Sequence, residues 1–129
     1  MEHFDSLKDF ILITFGAILG ANIRFIIYQK LEKINLSKNN IILLINTFSS
    51  FLLGLCLSFS SQIDSFTYSY QSGLFFSIGF LGSLSTFSTF IYDLFELCRE
   101  YKFLEALKLF IFSFSFGTTA LALGSLFGN

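Results

Sequence analysis

The residues best suited to chemistry lie in one stretch, Gly79 to Phe90, within an uncharged run from Ser65 to Tyr92. The stretch reads GFLGSLSTFSTF, with two glycines, many hydroxyls and a pair of phenylalanines three residues apart. Hydroxyls and irregular backbone are costly in hydrocarbon unless protein buries them or they line a wet path. Carbonyls at a helix interruption suit a hard monovalent cation such as Na⁺, and the positive edges of aromatic rings suit an anion. The stretch therefore indicates the working part of a transport protein.

A helix interruption is predicted near Gly82 and Ser83. Hydroxyls cover nearly every direction around the helix that follows, so they cannot all bond to neighbouring helices. These hydroxyls belong to Ser85, Thr86, Ser88 and Thr89.

Phenylalanine is abundant, with 20 residues in the chain, so most of the rings must face lipid. Phe87 and Phe90 share a helical face, which permits either a role in meeting an anion or plain packing. The rings that alternate from Phe110 to Phe116 cannot share one helical face at a spacing of two. We therefore expect those rings to contact lipid or to fill packing space.

Two polar residues lie within other apolar segments. Asn46 stands in mid-segment, where its amide either donates to a passing anion or forms an interhelical hydrogen bond. Arg24 lies near the end of the first segment, where it either attracts anions into a vestibule or extends to lipid headgroups. The residues alone leave both alternatives open.

These residues must be positioned by membrane helices. The chain is 53% hydrophobic and 13% charged, against about 25% charged residues in an average soluble domain. About 20 apolar residues cross a bilayer as a helix, and four segments of this kind are present. We predict an all-α integral membrane protein formed by one unit, residues 1–129, with spans near 8–29, 39–60, 71–97 and 104–127. Short connections make neighbouring spans antiparallel. No basic stripe for nucleic acid, metal-ligand cluster or nucleophile–base pair of an enzyme is present in the sequence.

Positive charge is unequally divided between the two ends of the predicted bundle. Lys8 alone lies on the side of the termini. The side of the first and third connections carries Lys30, Lys33, Lys38, Arg99, Lys102 and Lys108. The positive-inside rule therefore predicts a single orientation, with both termini outside and connections 1 and 3 in the cytoplasm.

Small residues recur at helical spacing in three of the spans. Gly16-x-x-x-Gly20 lies in the first span, Gly54 is flanked by serines four residues away in the second, and Gly117 and Gly124 lie in the fourth. Such stripes permit close approach of helix backbones. Since four helices enclose little space for a solute path, we expect a tightly packed dimer.

The same residues resemble the small four-helix fluoride channels, the Fluc or CrcB family. The first span matches a family pattern at Gly16, Gly20, Ala21 and Arg24. The second span matches at Asn46, Ser50, Phe51 and Gly54, and the third follows the family signature from Gly79 to Phe90. Departures include Ile41 and Ile42 in place of Gly and Thr, Ser49 and Ser83 in place of Gly, Ser85 in place of Thr, and Leu109 in place of an aromatic hydroxyl.

The resemblance implies a fluoride-selective channel in the inner (plasma) membrane that lowers cytoplasmic fluoride by passive export. It implies an antiparallel, inverted dimer with two pores and a central structural Na⁺. Backbone carbonyls of Gly82 and Ser85 would hold the Na⁺ at the break in the third span. Fluoride would meet Asn46, Phe87, Phe90 and Ser113, with Arg24 at the entrance.

Two alternatives remain for the partner subunit and two for the function. Fluoride channels of this family are either homodimers that insert in both orientations or pairs of paralogues with opposite fixed orientations. The charge asymmetry favours an inverted paralogous partner over a second copy of this chain. The alternative function is a proton- or cation-coupled exporter of small molecules, which normally needs a carboxylate deep in the membrane. None lies in the charge-free cores of spans 2 to 4.

Overall fold

The computed structural model describes residues 6–62, 70–85 and 87–128, and all the regular structure in them is helical. Thr86 lies outside the described residues, as do Ser65 and its neighbours at the start of the predicted uncharged run. The helices are α1 (Ser6–Glu32), α2 (Lys38–Gln62), the π-helix α3 (Gly73–Leu81), the single turn α4 (Gly82–Leu84), α5 (Phe87–Arg99) and α6 (Phe103–Phe127).

Four segments of the described chain are long and apolar enough to cross a membrane. They are α1, α2, the third span from Tyr70 to Arg99, which contains α3 to α5, and α6. This result confirms the predicted all-α membrane fold with an interrupted third helix. In the most apolar part of each helix, 33% of α2 residues but only 11% of α1 and α6 residues are buried. The second span is therefore the most enclosed, and α1 and α6 present apolar faces to lipid or to another subunit.

Local sequence explains where the first connection turns. Asn35 adopts a left-handed backbone with φ 59°, a conformation that asparagine tolerates better than most residues. Ser37 then caps α2, because its Oγ accepts a hydrogen bond from the Asn40 backbone N–H at 3.4 Å. The chain thereby reverses within a few residues, and α2 returns alongside α1.

Polar contacts at both ends of the bundle show the antiparallel order. At the end of the chain termini, Tyr70 donates to Asp9 Oδ2 at 3.0 Å, and the Gln62 amide donates to the Gly128 carbonyl at 2.7 Å. At the opposite end, Lys38 Nζ lies 3.1 Å from Asp93 Oδ1. Connections 1 and 3 consequently share one end of the molecule.

The small-residue stripes pack the helices within the subunit. Gly16 and Gly20 lie against the backbone of α3, and a Cβ on Gly79 would come within 2.6 Å of the Ile13 carbonyl oxygen. A Cβ on Gly124 would likewise collide with the backbone of α2. These glycines therefore serve packing within the subunit, because their close contacts join α1 to α3 and α2 to α6.

The third span leaves its helix at Ser85, at the C-terminal end of the predicted break. Gly82 remains helical at φ −62° and ψ −34°, whereas Ser85 is extended at φ −72° and ψ 149°. Ser83 does not interrupt the helix, because its Oγ donates to the Phe80 carbonyl at 3.0 Å and is satisfied within it. The nine-residue π-helix α3 before the break was not predicted. π-Helical turns are rare and are frequently found at functional sites.

Candidate functional site

A cavity of about 310 Å³ lies between α2, the helix break, α5 and α6, and we call it the Phe cavity. Its lining includes four residues predicted to meet an anion and one predicted to hold a cation. The full lining is Asn46, Ser50, Ser85, Phe87, Phe90, Phe110, Ser113, Phe114 and Gly117. The fold thus brings together residues that are up to 71 positions apart, from Asn46 to Gly117.

Regular helical spacing explains why each helix presents its lining residues to the Phe cavity. On α2, Asn46 and Ser50 are one turn apart and face the same side. On α6, the lining residues follow the i, i+3, i+4, i+7 pattern of one helical face, from Phe110 to Gly117. The break at Ser85 starts α5 anew at Phe87, so its first turn is presented to the cavity.

The aromatic rings form a short row. The Phe87 and Phe90 centroids are 6.2 Å apart with planes inclined at 43°, and Phe90 lies 6.5 Å from Phe110 in a stacked arrangement. Phe90 is half-buried, whereas Phe87 is 75% exposed. The row therefore begins on the surface of the subunit and continues into it.

The chemistry of the Phe cavity suits a small anion. Its lining offers an amide, hydroxyls and aromatic rings, and among the described residues that form it there is no carboxylate that would repel negative charge. Amide N–H and hydroxyl groups can replace the water around an anion, and ring edges add positive potential without binding it tightly.

Four lining residues had not been assigned to the site from sequence. Phe110 and Phe114 were expected to contact lipid or to fill packing space, and the structure shows that they also line the Phe cavity. The alternating pattern of rings concealed that these two are four residues apart and share a face with Ser113. Ser50 and Gly117 lie on the predicted small-residue faces, which gave a partial signal for them.

A second cavity of about 280 Å³ adjoins the first, and we call it the vestibule. Its lining is Arg24, Phe25, Tyr28, Lys38, Ile42, Ile45, Asn46 and Thr89. Asn46 is shared by both cavities, whereas Arg24 lies only in the vestibule, apart from the rings. Ile42, which replaces a threonine of the family pattern, is 7% exposed and adds an apolar surface to the vestibule.

The predicted cation ligands lie on either side of the single turn α4. The last carbonyls of a helix lack intrahelical partners, and α4 ends at Ser85. Gly82 is exposed, and a Cβ built on it would meet only the Ser77 carbonyl oxygen, at 3.8 Å. Packing within the subunit therefore does not require glycine here, and the bare backbone is open to an outside group. In the described residues no cluster of three or more His, Cys, Asp or Glu side chains could bind a metal.

Comparisons with known proteins agree with this architecture. The family described as CrcB-like protein, Camphor Resistance (CrcB), matches residues 11–125. The chain is 58% identical over 123 residues to the "Fluoride-specific ion channel FluC 2" of Prochlorococcus marinus (strain NATL2A), covering 95% of this chain and 99% of that protein.

Two further relatives are more distant. The chain is 36% identical over 129 residues to the "Fluoride-specific ion channel FluC 2" of another strain of Prochlorococcus marinus, covering 96% of this chain and 92% of that protein. It is 37% identical over 121 residues to the "Fluoride-specific ion channel FluC 1" of Parasynechococcus marenigrum (strain WH8102), covering 92% of each chain. With its four membrane-spanning helices, the chain is a multi-pass membrane protein that belongs to the CrcB-like family.

Proposed function

We propose that this chain is a subunit of a fluoride channel that lowers cytoplasmic fluoride by passive export. The observation that carries the proposal is the Phe cavity, where Asn46, Ser113 and a row of phenylalanine rings meet and no carboxylate lies among the described lining residues. Fluoride is small and strongly hydrated, so its pathway needs hydrogen-bond donors and ring edges in place of water. Relatives that cover nearly the whole chain carry the name of fluoride-specific channels, which supports the same function.

The conducting unit is an inverted dimer with a structural Na⁺ at its centre. Phe87 is 75% exposed on the isolated subunit, so a second subunit is needed to enclose the row of rings. Gly82 is also exposed, and its lack of a side chain permits close approach of an ion. In this arrangement the carbonyls of Gly82 and Ser85 hold Na⁺. The ion fixes the two breaks relative to each other, while the side chains of each subunit form the anion pathway.

The subunit has one orientation and pairs with an inverted paralogue. Connections 1 and 3 share one end of the bundle and carry most of the Lys and Arg residues. This asymmetry favours the cytoplasm for that end and disfavours insertion of the same chain the other way.

The competing function, coupled export of small molecules, has less support. It needs a membrane-embedded carboxylate that can take up and release a proton. Asp93 is the one buried acidic residue in the described part of the chain, and it is paired with Lys38 at 3.1 Å near the end of its span. An ion pair at that position does not form a relay through the membrane.

A flux measurement tests the channel function. Liposomes loaded with potassium fluoride, or with potassium chloride as control, would contain this chain alone or with an inverted paralogue. After valinomycin provides a path for K⁺, a fluoride electrode follows release of fluoride and a chloride electrode follows release from the control liposomes. We expect fluoride release without chloride release, and only from the paired subunits. Absence of fluoride release in both preparations contradicts the channel, whereas rapid release from this chain alone contradicts the need for a paralogue.

Native cysteines allow the orientation to be measured. Cys98 is exposed near the end of the third span beside connection 3, whereas Cys56 is half-buried within α2. We expect a membrane-impermeant maleimide to label Cys98 in inside-out vesicles but not in intact cells. A Cys98→Ser variant provides the background from Cys56. Equal labelling of Cys98 from both sides would contradict a single orientation.

A further inference from the structure

The vestibule contains an ion pair that the channel chemistry does not by itself require. Lys38, the first residue of α2, places its Nζ 3.1 Å from Oδ1 of Asp93 on α5. The Asp93 side chain is only 6% exposed, whereas that of Lys38 is 46% exposed and lines the vestibule. The Lys38 Nζ also lies 5.2 Å from the centre of the Tyr92 ring. The lysine thus stands between a buried carboxylate and the wet cavity.

We propose that Lys38 is a positioning residue that neutralises Asp93 and so keeps the vestibule attractive to anions. Arg24 lines the same cavity. Loss of Lys38 would remove one of the two cations, Lys38 and Arg24, that line the vestibule and would leave the Asp93 carboxylate without its partner. The uncompensated carboxylate would then repel an anion approaching Asn46, which joins the vestibule to the Phe cavity. This inference rests on the proposed fluoride channel.

Other charges near the pair do not replace Lys38. Glu96 accepts a hydrogen bond from the Tyr92 hydroxyl at 2.7 Å and adds negative charge one turn beyond Asp93. Arg99 lies at the end of α5 and is exposed, so solvent screens it. The Lys38 ammonium is the cation within ion-pair distance of Asp93 among the described residues.

A purely structural role of the Lys38–Asp93 pair predicts a different result. If the pair only joined α2 to α5, losing either partner would weaken the bundle, and losing both would not restore function. If the pair acts through charge, removing Asp93 together with Lys38 returns the net charge to that of the unaltered vestibule. The double variant therefore separates the two roles.

The test compares fluoride flux from liposomes for Lys38→Gln, Asp93→Asn, the double variant and Lys38→Arg, each in the conducting assembly. Lys108→Gln is the matched control, because Lys108 is exposed at the same end but does not line the vestibule. Flux is measured at about 0.01 M and about 1 M total salt, where the Debye length is about 30 Å and about 3 Å respectively.

At low salt we expect Lys38→Gln to reduce flux by roughly threefold to tenfold, as for one unit charge near a partly hydrated path. The double variant, Lys38→Arg and Lys108→Gln should stay within about twofold of the unaltered protein, and high salt should diminish the Lys38→Gln defect. Unchanged flux in Lys38→Gln overturns the proposal. The proposal is also overturned if Lys38→Gln and the double variant lose flux equally and the loss is the same at low and high salt. If Lys38→Gln alone does not assemble on gel filtration, a folded double variant without flux still overturns it. Flux of the unaltered assembly reports separately on the channel function itself.

Discussion

Replacing Gly82 with alanine tests whether this glycine is needed for contact with a group outside the subunit and not for packing of the helices. A Cβ at position 82 would lie 3.8 Å from its nearest atom, the Ser77 carbonyl oxygen, which is an ordinary contact. The subunit should therefore fold normally and gain about 0.5–1 kcal/mol, because alanine favours a helical backbone more than glycine does. At the proposed Na⁺ site, however, the new methyl would stand beside a ligand carbonyl and hinder approach of the ion.

Gly79→Ala, three residues earlier in the same span, is the matched control. Its Cβ would lie 2.6 Å from the Ile13 carbonyl oxygen and 3.1 Å from the Gly16 Cα, both backbone atoms that cannot rotate away. Such overpacking costs about 1–3 kcal/mol. Gly79→Ala should therefore destabilise the subunit whether or not Na⁺ is present.

The assay is the gel-filtration peak that survives heating in detergent, with Na⁺ or with N-methylglucamine as the cation. For Gly82→Ala we expect a melting temperature without Na⁺ that is no lower than that of the unaltered protein, and a loss of the stabilisation that Na⁺ provides. The Na⁺ concentration for half-maximal stabilisation should rise about tenfold, which corresponds to about 1.4 kcal/mol. The reasoning fails if Gly82→Ala is as unstable as Gly79→Ala without Na⁺, or if its response to Na⁺ is unchanged.

Four further substitutions test the pathway and the packing. Phe90→Ile should lower fluoride flux by about tenfold or more while the dimer persists, since about 1.4 kcal/mol of lost ion stabilisation is a tenfold change. Phe87→Ile should lower fluoride flux by a similar factor. Unchanged flux in both variants would mean that the two rings serve only packing. Gly117→Ala should fold normally, because its Cβ would lie 3.7 Å from Ser50 Oγ, which is an ordinary contact. The added methyl should nevertheless lower fluoride flux, because it narrows the Phe cavity. Full flux in the liposome assay would contradict a fluoride pathway through the Phe cavity. Gly124→Ala should cost about 1–3 kcal/mol, because its Cβ meets the α2 backbone, and an undiminished melting temperature would contradict the α2–α6 contact.

Much of the site was predictable because it depends on local patterns. Helical spacing placed Phe87 and Phe90 on one face, and mid-span position marked Asn46 as a polar residue that needs a partner. Phe110 and Phe114 could not be found this way, since only the approach of α6 to α5 shows which of many rings border a cavity. The sequence placed the break within a few residues but not at Ser85 itself, because only the structure shows that the Phe80 carbonyl satisfies the Ser83 hydroxyl and that the helix continues to Ser85.

The amino-acid sequence alone determined that this chain crosses a membrane four times as helices. Long uncharged apolar segments are stable in the hydrocarbon of a bilayer, where a helix satisfies all the backbone hydrogen bonds. Tertiary structure decided which surfaces those helices use. Glycine stripes that could equally serve a dimer join α1 to α3 and α2 to α6, because backbone atoms there meet where a Cβ would stand. Gly82 alone of the third-span signature glycines keeps an open face. The same tertiary contacts place Lys38 beside Asp93, 55 positions apart in the chain, a pairing that no local pattern indicates.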